Sequence, residues 1–166
     1  MRNKLLQIWA NRQQDTINTK QVLTTLVGAT LAVLILSLTY PLTGLNILLA
    51  PFGATCVLLF ALPDSPLAQP RNIIFGHLIT AFVGLLFFHS FGFTPLSVAL
   101  AVGVAIAAMR LTSTTHPPAG ANPIVVMLGS ASWNFLEFVI LGSAVLVVCG
   151  VLFHKINGKI YPKYWL

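Results

Sequence analysis

The stretch "TTHPPAGANP" (residues 114–123) puts a histidine, an asparagine, a glycine and three prolines within ten residues. An imidazole and an amide supply hydrogen-bond donors, and a histidine exchanges its proton near neutral pH. An earlier run, "PFGAT" (51–55), carries the same Pro-x-Gly-Ala order as "PAGA" (118–121). Proline suits the first helical turn, where its missing N–H is not needed. The free N–H groups at a helix start carry about half a positive charge. Two such starts facing each other make an anion site without Arg or Lys, suited to a small, weakly hydrated monovalent anion.

On this reading the substrate-binding residues are Pro51, Phe52, Gly53, Ala54 and Thr55 in the first run. In the second they are Thr115, His116, Pro117, Pro118, Ala119, Gly120, Ala121 and Asn122. His77 faces the same cavity from a third segment, or else bonds a neighbouring helix. His116 donates to the anion or carries a proton beside it; the alternative is a ring that satisfies loose carbonyls. Thr112, Ser113, Thr114 and Asn46 are further donors near the two runs, whereas His89 and His154 fall near segment ends and read as interfacial.

Other chemistries find little support. Four scattered histidines and three acids give no metal-ligand spacing and no nucleophile–base pair, so the chain reads as neither enzyme nor cofactor protein. A P-loop lysine motif is missing. Cys56 and Cys149 stand alone in apolar surroundings and act as small hydrophobes.

The polar run is unusual because of what surrounds it. Of 166 residues, 57% are hydrophobic and 7% charged, with mean hydropathy +0.88. Soluble domains carry about 25% charged residues. A fold of this composition needs lipid as its solvent, so the chain is an integral membrane protein. The net charge of +6 comes from bases gathered mostly near the ends, which fits head-group contact and topology rather than nucleic acid.

A bilayer crossing takes roughly 20 apolar residues. Residues 22–40 form one uncharged span ending before Pro41, and 42–62 form a second interrupted by "APFGA". The 38 uncharged residues 72–109 hold two spans that turn at "HSFGFTP", and 138–154 form the last, entered through Asn134 as a cap with Glu137 three residues on. A short apolar piece, 118–130, follows the polar run; Pro123 inside it moves its helical start beyond Pro118. The expected fold is all-α: four full spans plus two short Pro-x-Gly-Ala half-helices of about 13 residues each, roughly 20 Å long.

Residues 51–60 align with 118–127, and 73–87 with 139–153, so that Gly76 and Gly84 match Gly142 and Gly150. That order gives two three-segment repeats, 21–90 and 95–156, within a transmembrane region 21–156. Residues 1–20 form a cytoplasmic, interfacial segment with Leu5, Trp9 and Arg12 near one face, and 157–166 a basic, aromatic tail. If both short pieces cross, Arg71, Arg110 and the tail fall on one side and the uncharged turns on the other. The positive-inside rule then gives six crossings, cytoplasmic termini and inverted repeats, in a cell (inner) membrane. Asp64 and Arg71 are expected to pair and anchor the inner loop.

"APFGAT", "PDSPLAQPR", the "GH" that follows and "THPPAGA", in that order, resemble the HPP family of integral membrane proteins, over about residues 20–156. By that resemblance His116, Pro117 and Pro118 carry the signature, and Pro51, Phe52, Gly53 and Ala54 the first motif. The family's chloroplast and cyanobacterial members are associated with nitrite transport, and many descriptions count four spans. The resemblance implies transport of a small inorganic anion, with nitrite as substrate and the lipid bilayer as surroundings. A homo-oligomer is compatible with the size. The rival readings are a channel for a small neutral solute and a structural or sensory membrane module.

Overall fold

The computed structural model describes residues 18–44 and 46–165; the expected interfacial helix with Leu5, Trp9 and Arg12 lies outside them. Helix α1 spans Thr19–Thr43 and α2 Ala50–Cys56, which runs into a π-helical turn, Val57–Ala61. Then come α3, Pro70–Phe91, and α4, Pro95–Leu111. The chain ends with α5, Asn122–Leu128, and α6, Phe135–Ile156. The described residues contain helices and turns but no strand.

Among the described residues three helices, α1, α3 and α6, are long and apolar enough to cross a membrane. The fourth expected span, α4, is also apolar but has 17 residues, about 25 Å of rise, just under that length. Nor does α1 stop before Pro41. It carries Pro41 inside its last turn and ends at Gly44, whose φ of 75° lets its N–H reach back to the Tyr40 carbonyl. Asn134 precedes α6, but its side chain caps nothing; it bonds the Ser132 hydroxyl instead.

The two short segments are built in mirrored order. The first is a seven-residue α-helix followed by a five-residue π turn, and the second a five-residue 3-10 turn followed by a seven-residue α-helix. Pro123 sits in the first turn of α5, so the second regular helix starts at Asn122, beyond Pro118, as the third proline implies. Pro63 has no N–H to close the end of the first segment, and side chains take over. The Leu59 carbonyl accepts from His154 Nε2 at 2.8 Å, Phe60 from Thr25 at 3.2 Å and Ala61 from Gln21 at 3.2 Å. His154 is therefore a buried clamp on the helix end and not an interfacial residue.

Side-chain contacts sort the connections into two ends. At one end Arg71 donates to the Thr112 carbonyl at 3.1 Å, Tyr161 to Ala68 at 2.8 Å and Gln21 to Ala61. At the other, His89 stacks on Trp133 with ring centroids 5.3 Å apart. The expected Asp64–Arg71 pair does not form. Lys163 takes Asp64 at 3.1 Å, because the C-terminal tail folds back over the loop while Arg71 points to the end of α4.

Glycines let the long helices approach the short segments. A Cβ at Gly76 would lie 2.9 Å from His116 Cβ, and one at Gly84 2.7 Å from Pro123 Cα. On α6, a Cβ at Gly142 would lie 2.8 Å from the Ile47 carbonyl, and one at Gly150 2.6 Å from Leu59. So the glycines of α3 receive the second short segment, and those of α6 the first. Helix α1 stands outside this centre, burying only the stripe Gly28, Ala32 and Leu36 and leaving Val22, Leu26, Leu31 and Leu34 exposed as lipid-facing surface.

Candidate functional site

The two short segments meet along a groove of about 640 Å³. One wall is Ala50, Pro51, Ala54, Val57 and Leu58, the other Pro117, Pro118, Ala121 and Val125. In the alignment of 51–60 with 118–127, extended back by one residue, Ala50 matches Pro117, Pro51 matches Pro118, Ala54 matches Ala121 and Leu58 matches Val125. Equivalent residues thus form opposite walls. Both motif glycines, Gly53 and Gly120, have open space where a Cβ would stand. Phe52 and Ala119 turn the other way, into the core.

Behind the groove lies a buried polar cluster drawn from three segments. Thr55 Oγ1 is 2.9 Å from His77 Nε2 and 2.9 Å from His116 Nε2. Thr55, His77, His116 and Asn122 are each fully buried. Phe52 closes the cluster with its ring edge against His77, centroids 5.0 Å apart.

The partners fix the protons. His116 Nδ1 is 2.7 Å from the Leu67 carbonyl, which only accepts, so Nδ1 carries the hydrogen. Its Nε2 is then a lone pair, and the Thr55 hydroxyl donates to it; the 3.3 Å approach of that hydroxyl to the Pro51 carbonyl is secondary. At the other ring, Asn122 Nδ2 lies 2.9 Å from the His77 carbonyl and 2.9 Å from Thr80 Oγ1, which itself donates to the Gly76 carbonyl at 2.9 Å. The same amide nitrogen stands 3.1 Å from His77 Nδ1. Nδ1 faces a donor and is a lone pair, so the hydrogen of His77 is on Nε2 and points at Thr55. The bonds run one way from His77 through Thr55 and His116 to Leu67, while the two hydrogens of Asn122 Nδ2 go to the nearer His77 carbonyl and Thr80 hydroxyl and its 3.1 Å approach to His77 Nδ1 is secondary.

One atom of the cluster has no partner: the buried Asn122 Oδ1. Turning the amide over would set Oδ1 against the His77 carbonyl, so this orientation holds. An unsatisfied buried acceptor costs about 1–3 kcal/mol.

The polar run that leads into the second segment is held by the loop end of the fold, not by a cavity at its centre. Asn72 donates to the Thr115 carbonyl at 2.8 Å and Arg71 to Thr112, while Thr112 and Thr114 bond each other at 2.8 Å. Asn46 is exposed and caps Leu48 N at 3.3 Å, away from the cluster. Of the expected site residues, Pro51, Ala54, Pro117, Pro118 and Ala121 line the groove, and Thr55, His77, His116 and Asn122 form the cluster behind it. Thr80 and the Leu67 carbonyl escape sequence reading. Thr80 lies three residues after His77 on one helix face and was legible by spacing. A backbone carbonyl carries no such signal.

Beside Leu67 a smaller pocket, about 200 Å³, is lined by Pro66, Gln69, Arg71, Asn72 and Ser113 and covered by Tyr164 and Trp165. Gln69 ties the tail down: its Nε2 donates to the Pro63 and Ser65 carbonyls at 3.0 and 2.9 Å, and its Oε1 accepts from Lys163 N at 2.9 Å. Burial pushes the Tyr161 phenol up from its ordinary range.

Known proteins carry the same sequence pattern. The family described as "HPP, transmembrane region" matches residues 14–162. Two transmembrane proteins of Dictyostelium discoideum are similar: one is 32% identical over 73% of this chain and 46% of its own length, the other 34% identical over 71% and 41%. The chain therefore spans less than half the length of these relatives. No solved structure matches it significantly. With its motifs meeting at one buried cluster and the match running through nearly all of its length, this chain belongs to the HPP family of transmembrane proteins.

Proposed function

We propose that this chain moves a small monovalent inorganic anion, nitrite foremost, along the groove between the two Pro-x-Gly-Ala segments. The observation that carries the reading is the meeting of equivalent residues, Pro51 with Pro118 and Ala54 with Ala121, on opposite walls of one groove. The small side chains of Ala54 and Ala121 keep the groove open between the two segments. The two segments belong to inverted repeats, and the chain crosses the membrane six times with both termini cytoplasmic. Arg71, beside Thr112, and the lysine-bearing tail lie at one end, as positive-inside topology requires. The association of family members with nitrite transport points to the same substrate.

A second reading, a pore for a small neutral solute, is favoured by the complete lack of charged side chains in the groove walls. One experiment separates the two: flux of nitrite, formate, chloride and urea into liposomes holding the purified chain. The expected result is nitrite flux above protein-free vesicles, cut at least tenfold by Ala54→Phe or Ala121→Phe, which fill the groove from either wall. Urea flux without nitrite flux supports the neutral pore, and nitrite flux indifferent to both substitutions overturns the groove as its path.

A further inference from the structure

The small pocket under the C-terminal tail holds a cation that no carboxylate neutralises. Arg71 lines it, and a guanidinium carries five N–H donors. Among the described residues only the Thr112 carbonyl takes one of them, from Nη2 at 3.1 Å. Asp64, on the same loop, is occupied by Lys163, and Glu137 stands at the start of α6, toward the His89–Trp133 end. Ser113 gives the pocket wall a hydroxyl. It stands at φ 55°, in the left-handed region that favours glycine, so the chain keeps a polar side chain where bare backbone would sit more easily. Asn72 gives one amide hydrogen to the Thr115 carbonyl and has a second to offer.

The depth of the pocket says what can reach it. Arg71 is the second residue of α3, a helix of 22 residues that rises about 33 Å, close to the roughly 30 Å of a hydrocarbon core. The first turn of such a helix lies at the level of the head groups. Tyr164 and Trp165 cover the pocket, and Trp165 is 61% exposed. Rings of this kind settle at the membrane–water interface. Leu111, two residues before Ser113, is bare apolar surface at 87% exposure.

We propose that this pocket binds the phosphodiester of an anionic membrane lipid, with Arg71, Asn72 and Ser113 on the phosphate oxygens and Tyr164 and Trp165 over the head group. The planar fork of an arginine matches two phosphate oxygens at once. One cation balances the single negative charge of a diester and leaves a monoester half unmet. A head-group amine finds no acid here, since Asp64 already pairs with Lys163. Phosphatidylglycerol therefore fits, and phosphatidylcholine does not. The volume, about 200 Å³, takes a phosphate with its glycerol, while the acyl chains stay in the bilayer beside Leu111. Basic pockets at the cytoplasmic ends of membrane helices recognise head groups in this way. A lipid held there bridges the start of α3, the end of α4 and the tail. The pocket shares no residue with the groove, and its occupant is independent of what the groove carries.

The test is native mass spectrometry of the purified full chain, released from detergent after exposure to equal amounts of phosphatidylglycerol and phosphatidylcholine. The unaltered protein should keep one phosphatidylglycerol, at least tenfold over phosphatidylcholine. Arg71→Gln should lower that retention at least tenfold. Because Arg71 also holds the Thr112 carbonyl, two further variants guard against loss of the fold. Ser113→Gly removes the hydroxyl and relieves the backbone, and Trp165→Ala removes an exposed ring. Each should lower retention at least threefold without lowering the unfolding temperature in lipid-free detergent. Arg110→Gln changes an exposed base outside the pocket wall and should leave retention unaltered. Equal retention of the two lipids by the unaltered protein overturns the proposal. A loss in Arg110→Gln as large as that in Arg71→Gln also overturns it, because it marks diffuse attraction to a basic surface. Displacement of the lipid by millimolar inorganic phosphate assigns the pocket to a soluble anion and overturns the lipid as its occupant.

Discussion

His77 is gripped on both sides by residues that hold matching places in the two proline-glycine segments: Thr55 bonds its Nε2 at 2.9 Å, and Asn122 stands 3.1 Å from its Nδ1. One imidazole thereby ties the two segments together at the back of the groove. The relationship makes the cluster a structural keystone as well as a candidate site, and the two roles respond differently to substitution.

Thr55→Val removes a hydroxyl shared by two imidazoles and leaves two buried ring nitrogens without partners. The expected loss is about 1–3 kcal/mol, since unsatisfied buried polar groups carry that cost. Thr55→Ser should lose much less. Thermal unfolding in detergent measures both, and equal stability of all three proteins would contradict the bonding described.

Gly76→Ala places a methyl group 2.9 Å from His116 Cβ and 2.9 Å from the Thr114 carbonyl, so helix and break must separate. Overpacking of this kind costs about 1–3 kcal/mol. Gly103 on α4 has open space instead, and Gly103→Ala should stay within about 0.5 kcal/mol of the parent. Comparing the two in one unfolding assay checks the close approach directly.

The tail should come loose in alkali. Tyr161 is buried, donates to the Ala68 carbonyl at 2.8 Å and has its pKa raised by burial. An unfolded tyrosine titrates near about 10. Because the folded value is higher, its stabilisation is full below that pH and is lost as pH rises toward the folded value. Protease accessibility of the tail should therefore rise above about pH 10. Tyr161→Phe, which has no phenol to ionise, should lack this alkaline step.

Gln69→Ala should destabilise the loop end by about 1–3 kcal/mol, because the buried amide satisfies two carbonyls and one tail N–H. Asp64→Asn should change stability by less than about 1 kcal/mol, since the Asp64 side chain is 73% exposed and water screens its pair with Lys163. Thermal unfolding of the two variants ranks the contacts; a larger loss in Asp64→Asn would reverse this account of what holds the tail.

Membrane topology can be read by labelling. Cysteine placed at Ser113, beside Arg71, and at Ser132, beside the His89–Trp133 stack, should react with an impermeant thiol reagent from opposite faces of the membrane. Native Cys56 is buried, and the partly exposed Cys149 is first replaced by Ala to remove its background. Labelling of both positions from one face would rule out a crossing by the second short segment.

Membrane residence, the helical class, the two broken segments and the late start of α5 were all legible in the residue order. Each follows from a local property: apolar length, the missing N–H of proline, or the repeated Pro-x-Gly-Ala spelling. The residues Thr55, His77, His116 and Asn122 could also be singled out one by one, as polar groups in apolar surroundings. That they join in one row, with Thr55 as the bridge, depends on where α3 passes between the short segments, which only packing decides. His154 shows the limit from the other side: near a span end by sequence, it is drawn inward because Pro63 leaves the Leu59 carbonyl without a donor. Lys163, rather than Arg71, reaches Asp64 for the same kind of reason, since the return of the tail is a long-range event. Apolar length and proline position act within a few residues and so are written in the chain itself. Hydrogen bonds between residues such as Thr55 and His116, 61 positions apart, exist only once the helices are packed.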